Sequence, residues 1–464
     1  MRTLFPANYN WGFFLIAALF IRVMFVDMST LTYVAALISI YQFSLLFNSI
    51  GYIIPTRHLL GSFMCLQFLV GSLFAYNGID QYQYFRYQMR IPEADYYFYV
   101  MPAVIFFIIG LHINAGKYRG EVLNRKAIAN FVGRNPQLPY FFIILGFLAS
   151  VISSFFSSEL AFVFYLLGSF KFIGLFLLVL GTKYIKPAVM ALVIGSIISS
   201  SLQSGMFHDL LTWLVFTIAI FGIKYKFDFK IKLIGLVAFV LLAILIQVLK
   251  GSYRAEIGKG DEEGGVSTFS KIYEEQNRED RGIFNFRNIA SSNTRINQGF
   301  IITNIMQTVP DVEPFANGSE MYKILEAAIL PRILAPDKLR AGDREIFRKY
   351  SGIGIQAGTS MALSSIGDAY VNWGIFGGVI FMFVLGFVFS EVLNYFHKYS
   401  MDYPILILFV PLVFYYPIRP DCELQTSLGH LIKSCVLIYF MVLFWKKDLR
   451  KLTIKKKSSI AISN

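Results

Sequence analysis

Long apolar runs recur along this chain, and each is close to the ~20 residues that a helix needs to cross the hydrocarbon of a bilayer. They lie near residues 10–26, 31–54, 59–76, 96–114, 139–158, 160–181, 187–203, 207–223, 230–250, 369–393, 403–418 and 427–445. Backbone polar groups inside lipid must be satisfied within the segment, so runs of this kind become helices. The expected fold is an all-α polytopic integral membrane protein. It would have about twelve transmembrane helices and one long extracytoplasmic loop carrying short amphipathic helices. The composition agrees, with 56% of 464 residues hydrophobic and only 15% charged. The start, MRTLFPANYN, shows no small-residue cleavage site after its apolar run, so 11–26 is expected to stay as the first span.

The formal charge of +13 is therefore read against a membrane. No basic soluble domain interleaved with aromatics is present, so nucleic acid is not an expected partner. Cys65, Cys422 and Cys435 show neither CxxC nor zinc spacing, which argues against a disulfide framework or a thiolate metal site.

Orientation follows from Lys and Arg in the short loops. Segment 115–138 carries Lys117, Arg119, Arg125, Lys126 and Arg134, and segment 222–232 carries Lys224, Lys226, Lys230 and Lys232. Arg57, Lys183, Lys186, Lys398 and the tail cations fall on the same side; the opposite short loops hold only Arg86, Arg90 and Arg419. Both termini are then cytoplasmic. Four regions result: an N-terminal transmembrane bundle, 1–250, of about nine spans; an extracytoplasmic loop, 251–368; C-terminal transmembrane helices, 369–445, of about three spans; and a basic cytoplasmic tail, 446–464.

The long loop has two halves. Residues 251–294 are polar and Gly-rich and are expected to be irregular; Asp261, Glu262 and Glu263 read as a solvated run, not a cation site. Residues 295–368 look ordered. Ser319 to Leu330 places Met321, Ile324, Leu325, Ala328 and Ile329 on one helical face, and Pro331 ends that helix. Asp343 to Tyr350 reads as a second helix with Arg344 and Arg348 four apart on one face and Arg340 one turn before. Spacing alone leaves two uses open: a wet helix in which Glu345 pairs with Lys349, or an anion site. Gly352, Gly354 and Gly358 do not form a nucleotide fingerprint, and no Walker motif occurs.

Arg22, Lys171, Lys250 and Lys433 lie within or at the ends of spans, where each costs roughly 2.5–3.5 kcal/mol at mid-membrane. Arg22 and Lys250 can snorkel. Lys433 is deeper and shares a helical face with His430, and Arg419 sits in the adjoining outer loop. His430 is either a hydrogen-bonded structural residue or part of a site. Cations from the loop and from several spans thus point at one leaflet, where a lipid-linked pyrophosphate would need them.

Segment 309–386 resembles the long loop and following span of O-antigen and exopolysaccharide repeat-unit polymerases (Wzy-type). The matching pieces are Arg295-Ile-Asn-Gln upstream, Asn317-Gly318, Pro331-Arg332, Asp337-Lys338, Thr359-Ser360 and Gly367-Asp368-x-Tyr370-x-Asn372-x-Gly374. The family pattern more often has Glu where Asp368 stands; Asp keeps the charge with a shorter reach. The resemblance implies polymerisation of polyprenyl-pyrophosphate-linked oligosaccharide repeat units, with no cofactor and no metal. Arg295, Arg332, Lys338, Arg340, Arg344 and Arg348 are then expected to bind pyrophosphate, with Arg419 and Lys433 beside them. Asp368 and His430 are the candidate bases, and Tyr370 and Asn372 would position sugar. Expected partners are the lipid-linked glycan, membrane lipids, a flippase and a chain-length regulator. A flippase for the same lipid and an O-antigen ligase are the rival readings. A flippase would not need so long a loop and should show two similar halves.

Overall fold

A computed structural model describes residues 3–7, 9–118, 123–156, 158–258, 265–278, 293–294, 296–332, 334–355 and 361–454. Arg119, Asp261, Glu262, Glu263, Arg295, Gly358, Thr359, Ser360 and Lys455 to Lys457 lie outside the described residues. Among those described, all regular structure is helical.

Nine helices among the described residues are long and apolar enough to cross a membrane. They are α2 (Thr30–Ser49), α3 (Thr56–Tyr76), α4 (Glu93–His112), α7 (Ala161–Gly181), α8 (Pro187–Ser204), α9 (His208–Tyr225), α10 (Phe229–Ile257), α15 (Ser364–Ser400) and α17 (Leu424–Trp445). The other three expected spans are less regular. The first is α1 (Trp11–Met24), only 14 residues long. The fifth is α6 (Leu138–Ile152), only 15 residues long, and it meets at 84° a helix in the expected cytoplasmic segment before it, α5 (Arg125–Arg134). The eleventh shrinks to α16 (Pro404–Val413), whose backbone is partly 3₁₀. Residues 405–415 are buried, so this irregular backbone is surrounded by protein and not by lipid, the setting in which membrane proteins tolerate it. α15 ends at Ser400, yet Glu423 returns to the same cleft as Asp368 near the start of α15. The short segment therefore carries the chain back along most of the length of α15.

The bundle is tightest where α4 crosses α15. A Cβ at Gly110 would strike the carbonyl of Phe383, and one at Gly386 would strike that of Phe107. Two glycines thus let the backbones touch, as small residues do between membrane helices. Close by, Arg57 of α3 is buried, at 4% exposure. Its guanidinium donates to the Leu111 carbonyl, to Ser390 Oγ at 2.6 Å and to Asn394 Oδ1 at 2.7 Å. Asn394 and Asn114 both donate to Glu391, at 3.1 and 2.7 Å. The charge is shared through hydrogen bonds and so is tolerated in the interior.

α3 is not a uniform α-helix. Residues Cys65–Val70 form a π-turn, in which hydrogen bonds reach one residue further than in an α-helix. Neighbouring carbonyls are taken up by other segments. Gln67 O accepts from Gln298 N–H at 3.0 Å, Phe68 O from Tyr96 Oη at 2.8 Å, and Gly71 O from Asn293 Nδ2 at 3.0 Å. This is where the chain of the long loop comes back to the bundle.

The expected loop is more helical and more integrated than its composition suggested. α10 runs on to Ile257. α11 (Val266–Arg278) forms where irregular structure was expected. Phe269 and Ile272, three apart on one face, pack on Phe207, Leu249 and Tyr253, and that local apolar face outweighs the glycines before it. α12 (Gly299–Thr308) is buried along residues Gly299 to Ile305. Two short helices follow, α13 (Ser319–Ile329) and α14 (Arg344–Ser351). α15 begins at Ser364, so Asp368, Tyr370 and Asn372 belong to its first turns. At Gly374 the backbone leaves the helix (φ 65°, ψ −157°), a conformation glycine accepts. The ring of Phe315 lies 3.2 Å from where a Cβ would stand.

Candidate functional site

The cleft is built where α13, α14, the start of α15 and the turn before α17 meet. Its walls include Glu320 and Ile324 of α13, Asp343, Ile346, Phe347 and Tyr350 at α14, Leu363 just before α15, Asp368 and Val371 of α15, and Glu423 to Gln425. The free space is about 40 Å³, room for a few waters and not for a sugar ring.

Local sequence explains the walls. Asn317 and Gly318 both have positive φ and make the turn into α13. Ala316 N–H then bonds Val371 O at 2.9 Å. Asn372 Oδ1 accepts from Met321 N–H at 3.1 Å, satisfying one of the orphan amides of the first turn of α13, while its Nδ2 donates to Asp368 O at 2.8 Å. Tyr370 packs between Tyr99 and Phe315 and donates to Val309 O at 3.4 Å. Lys338 closes the other end of α13, donating to Ala327 O and Leu330 O. Asp343 caps α14 through Glu345 and Ile346 N–H. Asn372, Tyr370 and Lys338, expected to hold substrate, thus hold the walls together here.

The lining is rich in acceptors. Glu320 Oε1 takes Lys323 Nζ at 3.0 Å and Tyr350 Oη at 3.3 Å, while Oε2 is buried with no partner among the described residues. Glu423 accepts from Gly342 N–H at 2.6 Å and from Gln425 and Thr426. Burial pushes the Glu423 carboxyl above the ordinary carboxylate range, partly offset by the bond from Gly342. Burial also raises the Tyr350 phenol, which keeps it a donor. Asp368 is half-buried and stands with these groups. No three His, Cys, Asp or Glu side chains among the described residues are grouped so as to hold a metal ion.

The arginines are close in sequence to lining residues but are not themselves part of the lining. Arg340, Arg344 and Arg348 are exposed, and among the described residues none of them has an ion-pair partner. At 3.6 residues per turn, Arg344 stands on the flank of α14, about 60° beyond Phe347, while Arg348 is turned further from the face that Ile346, Phe347 and Tyr350 present to the cleft. Lys349 turns to Glu313 at 3.9 Å and over the Tyr350 ring, not to Glu345 as its i−4 spacing suggested. Arg332 is half-buried.

His430 and Lys433 are not brought to this cleft. His430 is buried, donates Nε2–H to Leu412 O at 2.7 Å and packs against Tyr415, Tyr416 and Phe162. Lys433 is exposed, with Nζ 4.6 Å from the centre of the Phe162 ring. Arg419 pairs with Asp421 at 3.6 Å and lines a second cavity of about 10 Å³, the space of one water, which shares Leu424 with the cleft. Glu320 and Glu423 were not singled out in the sequence; isolated acids far apart along the chain carry no local signal of convergence.

Residues 134–414, more than half of the chain, match the family model described as a domain of unknown function (DUF8712). No curated protein and no solved structure matches the chain.

Proposed function

The chain belongs to the DUF8712 family, and we propose that it polymerises polyprenyl-pyrophosphate-linked oligosaccharide repeat units at the outer face of the cytoplasmic membrane. The observation that supports this most is the pairing of an acceptor-rich cleft containing Asp368 with three exposed arginines from the segment that forms one of its walls, none with an ion-pair partner among the described residues. Fixed guanidinium groups suit the charge that develops on a departing pyrophosphate. A carboxylate within the cleft suits a hydroxyl that must lose its proton.

In this reading the growing chain is the donor. A hydroxyl oxygen of the incoming repeat attacks its anomeric carbon, the bond from that carbon to the pyrophosphate oxygen breaks, and the hydroxyl proton passes to Asp368. Arg340, Arg344 and Arg348 hold the pyrophosphate as it leaves.

Glycan profiling of a deletion strain tests the assignment. Loss of long chains with single repeat units still exported and attached is the expected result. Loss of all surface glycan, with lipid-linked units stranded on the cytoplasmic side, would assign a flippase instead. Free long chains that are never attached would assign a ligase.

A further inference from the structure

α13 was expected to have a single apolar face, and it has two. Met321, Ile324 and Ala328 turn inward. Tyr322, Leu325 and Ile329 turn outward, 71%, 41% and 57% exposed. Positions three and four apart share a face, so these three form one stripe. Leu334, 69% exposed, follows it in the connection after the helix. A water-facing helix of a polar loop would carry charges there.

The position of α13 in the bundle says what covers the stripe. Ala328 packs on Gly429, with 3.6 Å from its Cα to the place of a Cβ on that glycine. Gly429 lies inside α17, five residues past its first residue, Leu424. At 1.5 Å per residue that is about 8 Å along the helix. The helix continues beyond Trp445 to Ile454, and its candidate span, Leu424–Trp445, has 22 residues, about 33 Å, which matches the ~30 Å hydrocarbon thickness, so Leu424 stands near the edge of the hydrocarbon. An interfacial amphipathic helix rests about 5–10 Å into the boundary between headgroups and acyl chains. The exposed arginines of the next segment, Arg340, Arg344 and Arg348, carry the charge that lipid phosphates would meet.

We infer that α13 is embedded in the leaflet on the loop's side of the membrane, its Tyr322–Leu325–Ile329 stripe in contact with lipid chains and the arginines after it at the level of lipid phosphates. The helix is then part of the membrane-facing wall of the cleft. A lipid-linked substrate would reach Asp368 along the plane of the membrane; that consequence alone rests on the polymerase reading, which the glycan profile tests separately.

The test is made on protein without substrate. Single cysteines at Tyr322, Leu325, Ile329 and Glu345, in a chain with Cys65, Cys422 and Cys435 changed to serine, are spin-labelled and placed in nanodiscs of phosphatidylcholine and phosphatidylglycerol. Collision rates with oxygen and with a water-soluble nickel chelate are compared. Oxygen should dominate at Tyr322, Leu325 and Ile329, and nickel at Glu345. Nickel dominating along the stripe places it in water and overturns the inference. Labels shielded from both reagents place a protein partner there and overturn it as well. The native chain gives an independent measurement should these variants not fold: a phosphatidylcholine with a diazirine on its acyl chain should crosslink to α13, and an unlabelled α13 beside a labelled α10 overturns the inference.

Discussion

Arg57 and Arg344 are the same side chain put to opposite uses. Arg57 is enclosed among α3, α4 and α15, where a carbonyl, a hydroxyl and an amide take up its donors. Arg344 stands on the flank of α14 with no ion-pair partner among the described residues. One end of the molecule is closed by its cation, and the other offers its cations outward. An arginine with every partner in place is part of the scaffold, and arginines without partners beside a cleft are where a ligand's charge would go.

The contrast breaks most sharply at Arg57. Arg57→Ala leaves the partners of the guanidinium unpaired in the bundle, and each hydrogen bond to a charged group contributes about 1.5–3 kcal/mol. Thermal unfolding in detergent should show a large fall in midpoint, with little folded protein recovered. An unchanged midpoint would mean that the crossing does not need its cation.

Arg344 should behave in the opposite way. Arg344→Ala should leave the unfolding midpoint in place and lower polymerisation rate on the order of 10²–10³, the loss expected for one pre-organised donor at a developing charge. Arg344→Lys should already impair chain extension, because the planar paired donors are gone while the charge stays. Extension of purified lipid-linked repeats followed by gel mobility checks both. Normal chain length in both variants would return the stretch to a wet surface.

A smaller effect is expected at Glu423. Burial holds its folded-state pKa above the ordinary 4.5. The folded chain therefore binds that proton more tightly than the unfolded chain. The linked stability is fully present below pH 4.5 and is lost as the pH rises through the folded value. Glu423→Gln keeps an acceptor for Gly342 and removes the charge. Its unfolding midpoint should match the wild type below pH 4.5 and exceed it at neutral pH; a difference that does not change with pH would contradict the burial argument.

The smallest effect belongs to Lys349. Its pair with Glu313 spans 3.9 Å between side chains 47% and 32% exposed. Surface pairs of this kind contribute ~0–1 kcal/mol. Lys349→Ala should leave polymer length and unfolding midpoint where they were, which makes it the control for Arg344.

Most of the spanning helices were legible because a bilayer demands a run of apolar residues and little else imitates one. The exceptions have physical reasons. α16 is apolar enough but too short, and protein on all sides makes its irregular backbone tolerable. The cleft was half legible. The cationic stretch and Asp368 stood out by charge, and the structure brings the wall at α14 and the start of α15 together. Glu320 and Glu423 gave no signal, because what unites them is tertiary. Asn372 and Tyr370 were legible as a motif, but their tertiary bonds were not: Asn372 fastens α13 to α15, and Tyr370 ties α15 to the end of α12. The apolar arc of α13 was legible, but periodicity reports where apolar residues are and is silent on which of them the rest of the chain covers.

The π-turn of α3 has a consequence in counting. A turn closed over five residues instead of four holds one residue more than the α-helix around it would need. That surplus opens the stretch whose carbonyls at Gln67, Phe68 and Gly71 receive Gln298, Tyr96 and Asn293. A chain one residue shorter between positions 65 and 70 would still write a membrane helix in every statistic of its sequence. It would also have filled the notch where its longest excursion is moored, and everything on one side of the deletion would face about 100° away from its present direction.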